Sequence, residues 1–196
     1  MLNQGLSTNK SGTVYWFTGY SGAGKTTIGK LFHDRLIQQG RIAVFLDGDD
    51  LRSIFGNDLG YSIEDRKKSA QRNSRLCKFL ADHGVDVVCA TISVFHSCRE
   101  WNKENIANYK EIYLKVAHEV RSKRDIKGIY PTKRTEIAEN VVGLDIRGEE
   151  PETPTVTVEN DGRLSPFAVV DFLEGKLFGS VSNGFEGRAQ SGKKRQ

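Results

Sequence analysis

Residues Gly19-Tyr20-Ser21-Gly22-Ala23-Gly24-Lys25-Thr26 meet the pattern G-x-x-x-x-G-K-[ST] at every fixed position, and no other stretch constrains the fold as strongly. The apolar run Val14-Tyr15-Trp16-Phe17 precedes it, and Thr27-Ile28-Gly29-Lys30-Leu31-Phe32 follows with helical spacing. The context is therefore strand, glycine-rich loop, helix N-terminus. Glycines let the main chain turn tightly and come close to a ligand. The N–H groups of such a loop converge into an anion nest, reinforced by the positive end of the helix dipole. In that geometry Lys25 reaches the β- and γ-phosphates of a nucleoside triphosphate, and the Thr26 hydroxyl can ligate Mg²⁺. Gly19, Ser21, Gly22, Ala23, Gly24, Lys25, Thr26 and Thr27 are the expected ATP-binding residues. A glycine turn that matches by chance is the alternative, and the correct flank on each side argues against it.

Hydrophobic periodicity organises the rest of the chain. Val14–Thr18 reads as a strand, followed by a helix from Lys25 to about Gln39 that stops at Gly40. Ile42–Leu46 reads as a buried strand, and a polar loop is expected after Asp47-Gly48-Asp49-Asp50. A helix from about Ile63 to His83, a strand over Val85–Ala90, a helix over Arg99–Ala107 and a strand over Tyr109–Val116 come next. A short helix over His118–Lys123 precedes a polar, irregular stretch from Lys127 to Pro154. A strand over Thr155–Val158 and a helix over Ser165–Phe178, N-capped by Ser165, end the ordered pattern. Strands alternating with helices imply βαβ crossovers. The expected fold is a P-loop NTPase three-layer α/β/α sandwich with a mainly parallel central sheet. It is expected to form a single domain over 12–178, between a flexible N-terminus (1–11) and a flexible basic tail (179–196). Ligands of such sheets bind at the carboxyl ends of the strands.

Charge and composition narrow the function classes. The last eighteen residues carry Arg188, Lys193, Lys194 and Arg195 against Glu186, which leaves only +1 of the net +4 for the rest of the chain. A nearly neutral body with a short basic tail is not a nucleic-acid footprint. No apolar run approaches the ~20 residues that span a bilayer. Met1–Ser11 lacks the apolar centre of a signal peptide, so a cytoplasmic protein with no membrane partner is expected. Cys77, Cys89 and Cys98 have no metal-ligand spacing. Cys77 and Cys89 read as buried thiols; Arg99 beside Cys98 is a cation able to lower that thiol's pKa, but no family pattern supports a catalytic cysteine. His33, His83 and His118 read as helix-surface residues, while His96 follows a strand end and is a candidate for contact with an acceptor.

Polar clusters after the strands supply the remaining candidates. Beside a P-loop, a carboxylate of Asp47-Gly48-Asp49 can act as base for an acceptor hydroxyl or hold Mg²⁺ through water, and Asp49 is favoured for both roles. Arg52 and Arg66 suit recognition of an anionic acceptor. Lys127, Lys133 and Arg134 are candidates to neutralise charge on a transferring phosphoryl group from a closing segment.

Taken together, these residues resemble the adenylylsulfate (APS) kinase family over about Val14 to Val158. The likeness rests on the P-loop with Thr27, Leu46-Asp47-Gly48-Asp49-Asp50-Leu51-Arg52, Asp58-Leu59-Gly60-Tyr61-Ser62 with Asp65-Arg66, Ile92-Ser93, Arg124-Asp125-Ile126-Lys127-Gly128-Ile129-Tyr130 and Gly143-Leu144-Asp145. The resemblance implies an enzyme that uses ATP and Mg²⁺ to phosphorylate the 3′-hydroxyl of a ribose. It implies Asp49 near that hydroxyl, and acceptor binding by Arg52, Tyr61, Arg66, Ser69, Ile92 and Ser93. It also places Arg124 on ATP, Lys127 in a lid with catalytic and acceptor-binding roles, and the chain in a homodimer.

Departures from the family pattern fall on the acceptor side. Asp50 stands where the family usually has Asn, Tyr61 where it has a stacking Phe, and Ser69 where it has Asn. Val141-Val142 lacks a second aromatic, and Ile92-Ser93-Val94-Phe95-His96 replaces an Ile-Ser-Pro run. These changes, with Leu76–Leu80 and Trp101-Asn102, are similar to a divergent branch that phosphorylates cytidine diphosphoramidate. APS remains the conservative acceptor. A non-catalytic ATP-binding module and a small-metabolite kinase of the same fold are the other classes open at this point.

Overall fold

The computed structural model describes residues 10–93, 95–124 and 148–179. Its elements run β1 (Val14–Thr18), α1 (Lys25–Gln38), β2 (Ala43–Asp47), α2 (Gly48–Ile54), α3 (Ile63–Asp82), β3 (Asp86–Ala90), α4 (His96–Asn105), β4 (Tyr109–Lys115), α5 (His118–Lys123), β5 (Val156–Glu159) and α6 (Pro166–Phe178). The strands form one sheet in the order β2-β3-β1-β4-β5, and every neighbouring pair is parallel. Val14 lies opposite Val87 on one side and Tyr109 on the other. With β1 central and the chain passing to β3 on one flank and β4 on the other, the topological switch falls beside the end of β1.

Alternation along β1 builds two cores. Tyr15 and Phe17 face α1 and α6, packing with Phe32, Leu36, Val170 and Leu173. Val14 and Trp16 face the opposite layer, with Ala70 and Cys77 of α3 and Phe95 and Cys98 around α4. Helices on both faces of a parallel sheet make the three-layer α/β/α sandwich that the sequence implies. Ser165 caps α6 as expected, accepting from the Ala168 N–H at 3.2 Å.

Three local readings are corrected. The expected polar loop after β2 is the helix α2, started by Asp47, whose side chain accepts from the Asp49 N–H, and anchored by the buried Leu51. The second strand is half-buried along its length rather than buried, because β2 forms an edge of the sheet. The fourth helix begins at His96, three residues before the expected Arg99. Its start has no local side-chain cap; the Glu149 carboxylate accepts the His96 N–H instead. A cap supplied from so far along the chain leaves no trace in the local sequence.

Between α4 and β4, Arg99 and Glu111 form an ion pair at 3.2 Å with side chains only 3% and 1% exposed. Lys103 adds a second cation at 3.6 Å. Burial pushes the Glu111 carboxyl up, and Arg99 and Lys103 oppose that shift. Arg99 also donates to the carbonyls of Ser93 and Glu150, so the pair joins the end of β3 to the returning chain at 148–150. Glu111→Gln leaves the Arg99 charge buried without its partner and should cost about 3–5 kcal/mol. Urea denaturation measures this, and a loss under about 1 kcal/mol would mean that water compensates the guanidinium.

Candidate active site

The glycine-rich loop joins β1 to α1 at the switch point. Gly19, Gly22 and Gly24 all adopt positive φ, at 145°, 76° and 89°. Gly24 is doubly constrained: it forms the left-handed N-cap of α1, and a Cβ there would lie 2.8 Å from the Asn160 side-chain nitrogen. Lys25 is buried, and its ammonium donates to the Tyr20 carbonyl at 2.8 Å. The Arg121 guanidinium sits 4.5 Å from the Tyr20 ring centroid. The Tyr20 hydroxyl donates to the Gly148 carbonyl at 3.3 Å. From the end of β5, Asn160 donates through its side chain to the Ala23 carbonyl at 2.9 Å, and its own carbonyl accepts from Arg124 at 2.9 Å. Sequence reading missed Asn160; its only signal is its place one residue beyond a strand, at the edge where ligands bind.

The two carboxylates of the Asp47-Gly48-Asp49 turn occupy different positions. Asp47, the last residue of β2, accepts from the Thr26 hydroxyl at 2.7 Å through Oδ2 and from the Asp49 N–H at 2.9 Å through Oδ1. Asp49 lies exposed in the first turn of α2. Sequence reasoning favoured Asp49 and gave Asp47 no role. A hydroxyl and a carboxylate beside a phosphate nest form an all-oxygen donor set that suits Mg²⁺. No cluster of three or more His, Cys, Asp or Glu side chains able to hold a metal occurs among the described residues.

In the loop where sequence reasoning expects the acceptor, Tyr61 is 59% exposed between two arginines. The Arg52 guanidinium carbon lies 4.4 Å from its ring centroid and that of Arg66 5.5 Å away. Arg52 donates to the Leu59 carbonyl and, at 3.1 Å, to that of Gly60. Arg66 donates to the Tyr61 carbonyl at 3.0 Å. The arginines thus hold the 59–61 loop between α2 and α3 while presenting cationic edges around an exposed ring. Ser62 caps α3 by accepting from the Asp65 N–H, which fixes where Arg66 leaves the helix. Ser69 is half-buried one turn further along. Ile92 and Ser93 follow β3; Ser93 is buried, and its carbonyl accepts from the Thr18 hydroxyl at 3.2 Å. The P-loop, Asp49, Ile92, Ser93 and Asn160 follow strand ends and Asp47 closes β2, and these ends share one edge of the sheet; Arg124, at the end of α5, joins that edge through its bond to the Asn160 carbonyl. Lys127, Lys133, Arg134 and Val141–Asp145 lie outside the described residues.

Cysteine and histidine chemistry is settled by burial and by pairing. Burial pushes the Cys98 thiol up; hydrogen bonds with Ser74 and Ser93 and the Arg99 charge oppose it without prevailing. Cys77, Cys89 and Cys98 are all buried and free. His96 accepts from Arg99 at 2.8 Å through Nδ1. Because arginine only donates, the neutral imidazole carries its proton on Nε2. His83 forms the C-cap of α3. His33 lies on α1, 3.1 Å from Asp34.

Asp47→Ala removes both the cap of α2 and the partner of Thr26. It should cost about 1 kcal/mol of stability, the ordinary worth of a side-chain cap, measured as a shift in the urea midpoint. An unchanged midpoint would mean that α2 is held by Leu51 alone.

Comparison with known proteins converges with this geometry. The profile for "Adenylylsulphate kinase" matches residues 11–159. The adenylyl-sulfate kinase of Halothermothrix orenii is 34% identical over 171 residues, covering 86% of this chain and 92% of that protein. The cytidine diphosphoramidate kinase of Campylobacter jejuni is 36% identical over 164 residues, covering 84% and 95%. A solved structure of the Mycobacterium tuberculosis APS kinase in complex with AMPPNP and APS aligns with a TM-score of 0.79 at 28% identity, over 86% of this chain and 98% of that one.

Proposed function

From the premise that the chain belongs to the adenylylsulphate kinase family, we propose that it transfers the γ-phosphate of ATP to the ribose 3′-hydroxyl of a nucleotide-like acceptor, APS in the first instance. The observation that carries this reading is the pairing of two sites on one sheet edge. A phosphate nest with the Thr26–Asp47 contact stands at the end of β1 and β2. A cation-flanked aromatic, Tyr61 between Arg52 and Arg66, stands between α2 and α3. The first suits a triphosphate; the second suits a flat base joined to an anionic linkage.

Each residue has a proposed part. The loop amides and Lys25 hold the β- and γ-phosphates, and Arg124 binds the nucleotide from α5. Mg²⁺, held by Thr26 and through water by Asp47 and Asp49, would neutralise phosphate charge when bound. Asp49 orients the acceptor hydroxyl or takes its proton. Arg52 and Arg66 bind the anionic linkage, Tyr61 stacks on the base, and Ser69, Ile92 and Ser93 shape the acceptor pocket. Lys127 supplies a further cation. The enzyme is further proposed to be a cytoplasmic homodimer.

Lys25→Ala should abolish turnover in a coupled ADP-release assay. Asp49→Asn should lower kcat about 100-fold or more, the usual worth of a positioned base, with the KM for ATP moved much less. A near-normal kcat in Asp49→Asn would remove Asp49 from the chemistry.

A second reading takes cytidine diphosphoramidate as acceptor. It is favoured by the Campylobacter jejuni relative, of which this chain covers 95%, and by Tyr61, Ser69, Phe95 and His96 at acceptor positions. Comparing kcat/KM for APS and cytidine diphosphoramidate decides between them. A preference for APS makes the acceptor-side changes neutral drift. A preference for the cytidine compound makes them the marks of a re-specified pocket, and turnover of neither would sink both.

A further inference from the structure

Asn160 binds three elements at once. Its N–H donates to the Lys115 carbonyl at the end of β4. Its carbonyl accepts from Arg124, the C-cap of α5. Its side-chain amide, nine-tenths buried with the rest of the residue, donates to the Ala23 carbonyl of the P-loop. Sheet pairing thus fixes the backbone, and the side chain carries that fixed frame to the loop.

Peptide geometry gives this contact a consequence. In a trans peptide the C=O and the following N–H point in opposite directions. Tying the Ala23 oxygen to Asn160 on the β5 side therefore turns the Gly24 N–H the other way, away from Asn160. Gly24 has φ 89°, which leaves its peptide without the steric restriction that a side chain would impose. The Asn160 amide also fills the space that a Gly24 side chain would need. A loop rich in glycine needs an external clamp if its amides are to be preorganised before an anion arrives.

We propose that Asn160 is a positioning residue for triphosphate binding: its side-chain amide holds the Ala23–Gly24 peptide in the orientation that aims the Gly24 N–H at the bound phosphates. The proposal deepens the ATP reading and rests on it. Among the described residues the hydrogen bonds of Asn160 go to Lys115, Arg124 and the P-loop, so its effect should fall on the phosphate part of the nucleotide alone.

Asn160→Asp is nearly isosteric and sets a carboxylate against the Ala23 carbonyl, while its own backbone carbonyl still meets Arg124. Binding of MgATP, of inorganic tripolyphosphate and of adenosine is measured by NMR titration on the full chain, following the Gly24 amide. The parent should bind MgATP and tripolyphosphate with a large shift of the Gly24 N–H. In Asn160→Asp both affinities should fall about tenfold or more, the worth of one well-placed buried hydrogen bond. Adenosine should bind within about twofold of the parent, since Arg124 keeps its partner. Asn160→Ala should move the same ligands in the same direction by a smaller factor, and it carries the test if the Asp variant does not fold. Unchanged tripolyphosphate affinity in a folded variant would overturn the proposal. An equal loss for adenosine would also overturn it, because a merely structural role weakens every ligand alike. A parent that binds no MgATP would overturn the ATP reading as well, and so separates the two failures.

Discussion

Parallel pairing around a central β1 is the constraint from which the rest of the active edge follows. Strands that all run one way end on one side, so any residue that comes just after a strand is delivered to the same edge. In this chain the deliveries are a glycine-rich loop, an aspartate, a Ile92-Ser93 turn and an asparagine. None needs a long-range sequence signal to find the others. The two apolar faces of β1 hold the layers in place, and the glycine-rich loop, Asp47 and Asn160 stand at the strand ends.

Cation use differs between the two halves of that edge. Around the P-loop, Arg121 packs over the Tyr20 ring and Arg124 donates to the Asn160 carbonyl. On the proposed acceptor side, Arg52 and Arg66 already support main-chain carbonyls of the 59–61 loop. They brace the loop and charge it at the same time. An arginine can do both because its guanidinium presents five donors in a rigid plane. A lysine at Arg52 would lack the fork that spans two successive carbonyls.

Much of this was legible in the sequence, for identifiable reasons. The P-loop, β1 and α1 announce themselves through local spacing, and Ser62 and Ser165 cap helices through side chains within three residues. What stayed hidden depends on distant partners. The start of α4 is fixed by Glu149, the half-buried state of β2 by its edge position, and the roles of Asp47 and Asn160 by contacts with Thr26 and Ala23. Asp47 and Asp49 look equivalent in a turn of alternating Asp and Gly. Only the fold shows that the first is oriented toward Thr26 and the second sits exposed on a helix. The raised pKa of Cys98 has the same origin, since sequence adjacency to Arg99 says nothing of how thoroughly the thiol is desolvated.

The three buried cysteines have a practical meaning beyond catalysis. Cys77, Cys89 and Cys98 belong to one core, beneath α3 and α4. With burial raising the Cys89 and Cys98 pKa values, an alkylating reagent meets neither an exposed sulfur nor a ready thiolate in the native fold. Labelling must wait for that layer to part from the sheet, so its rate becomes a clock for local opening on the face opposite α1 and α6. The chain thus carries a native reporter of breathing in half of its sandwich, with no probe to be introduced.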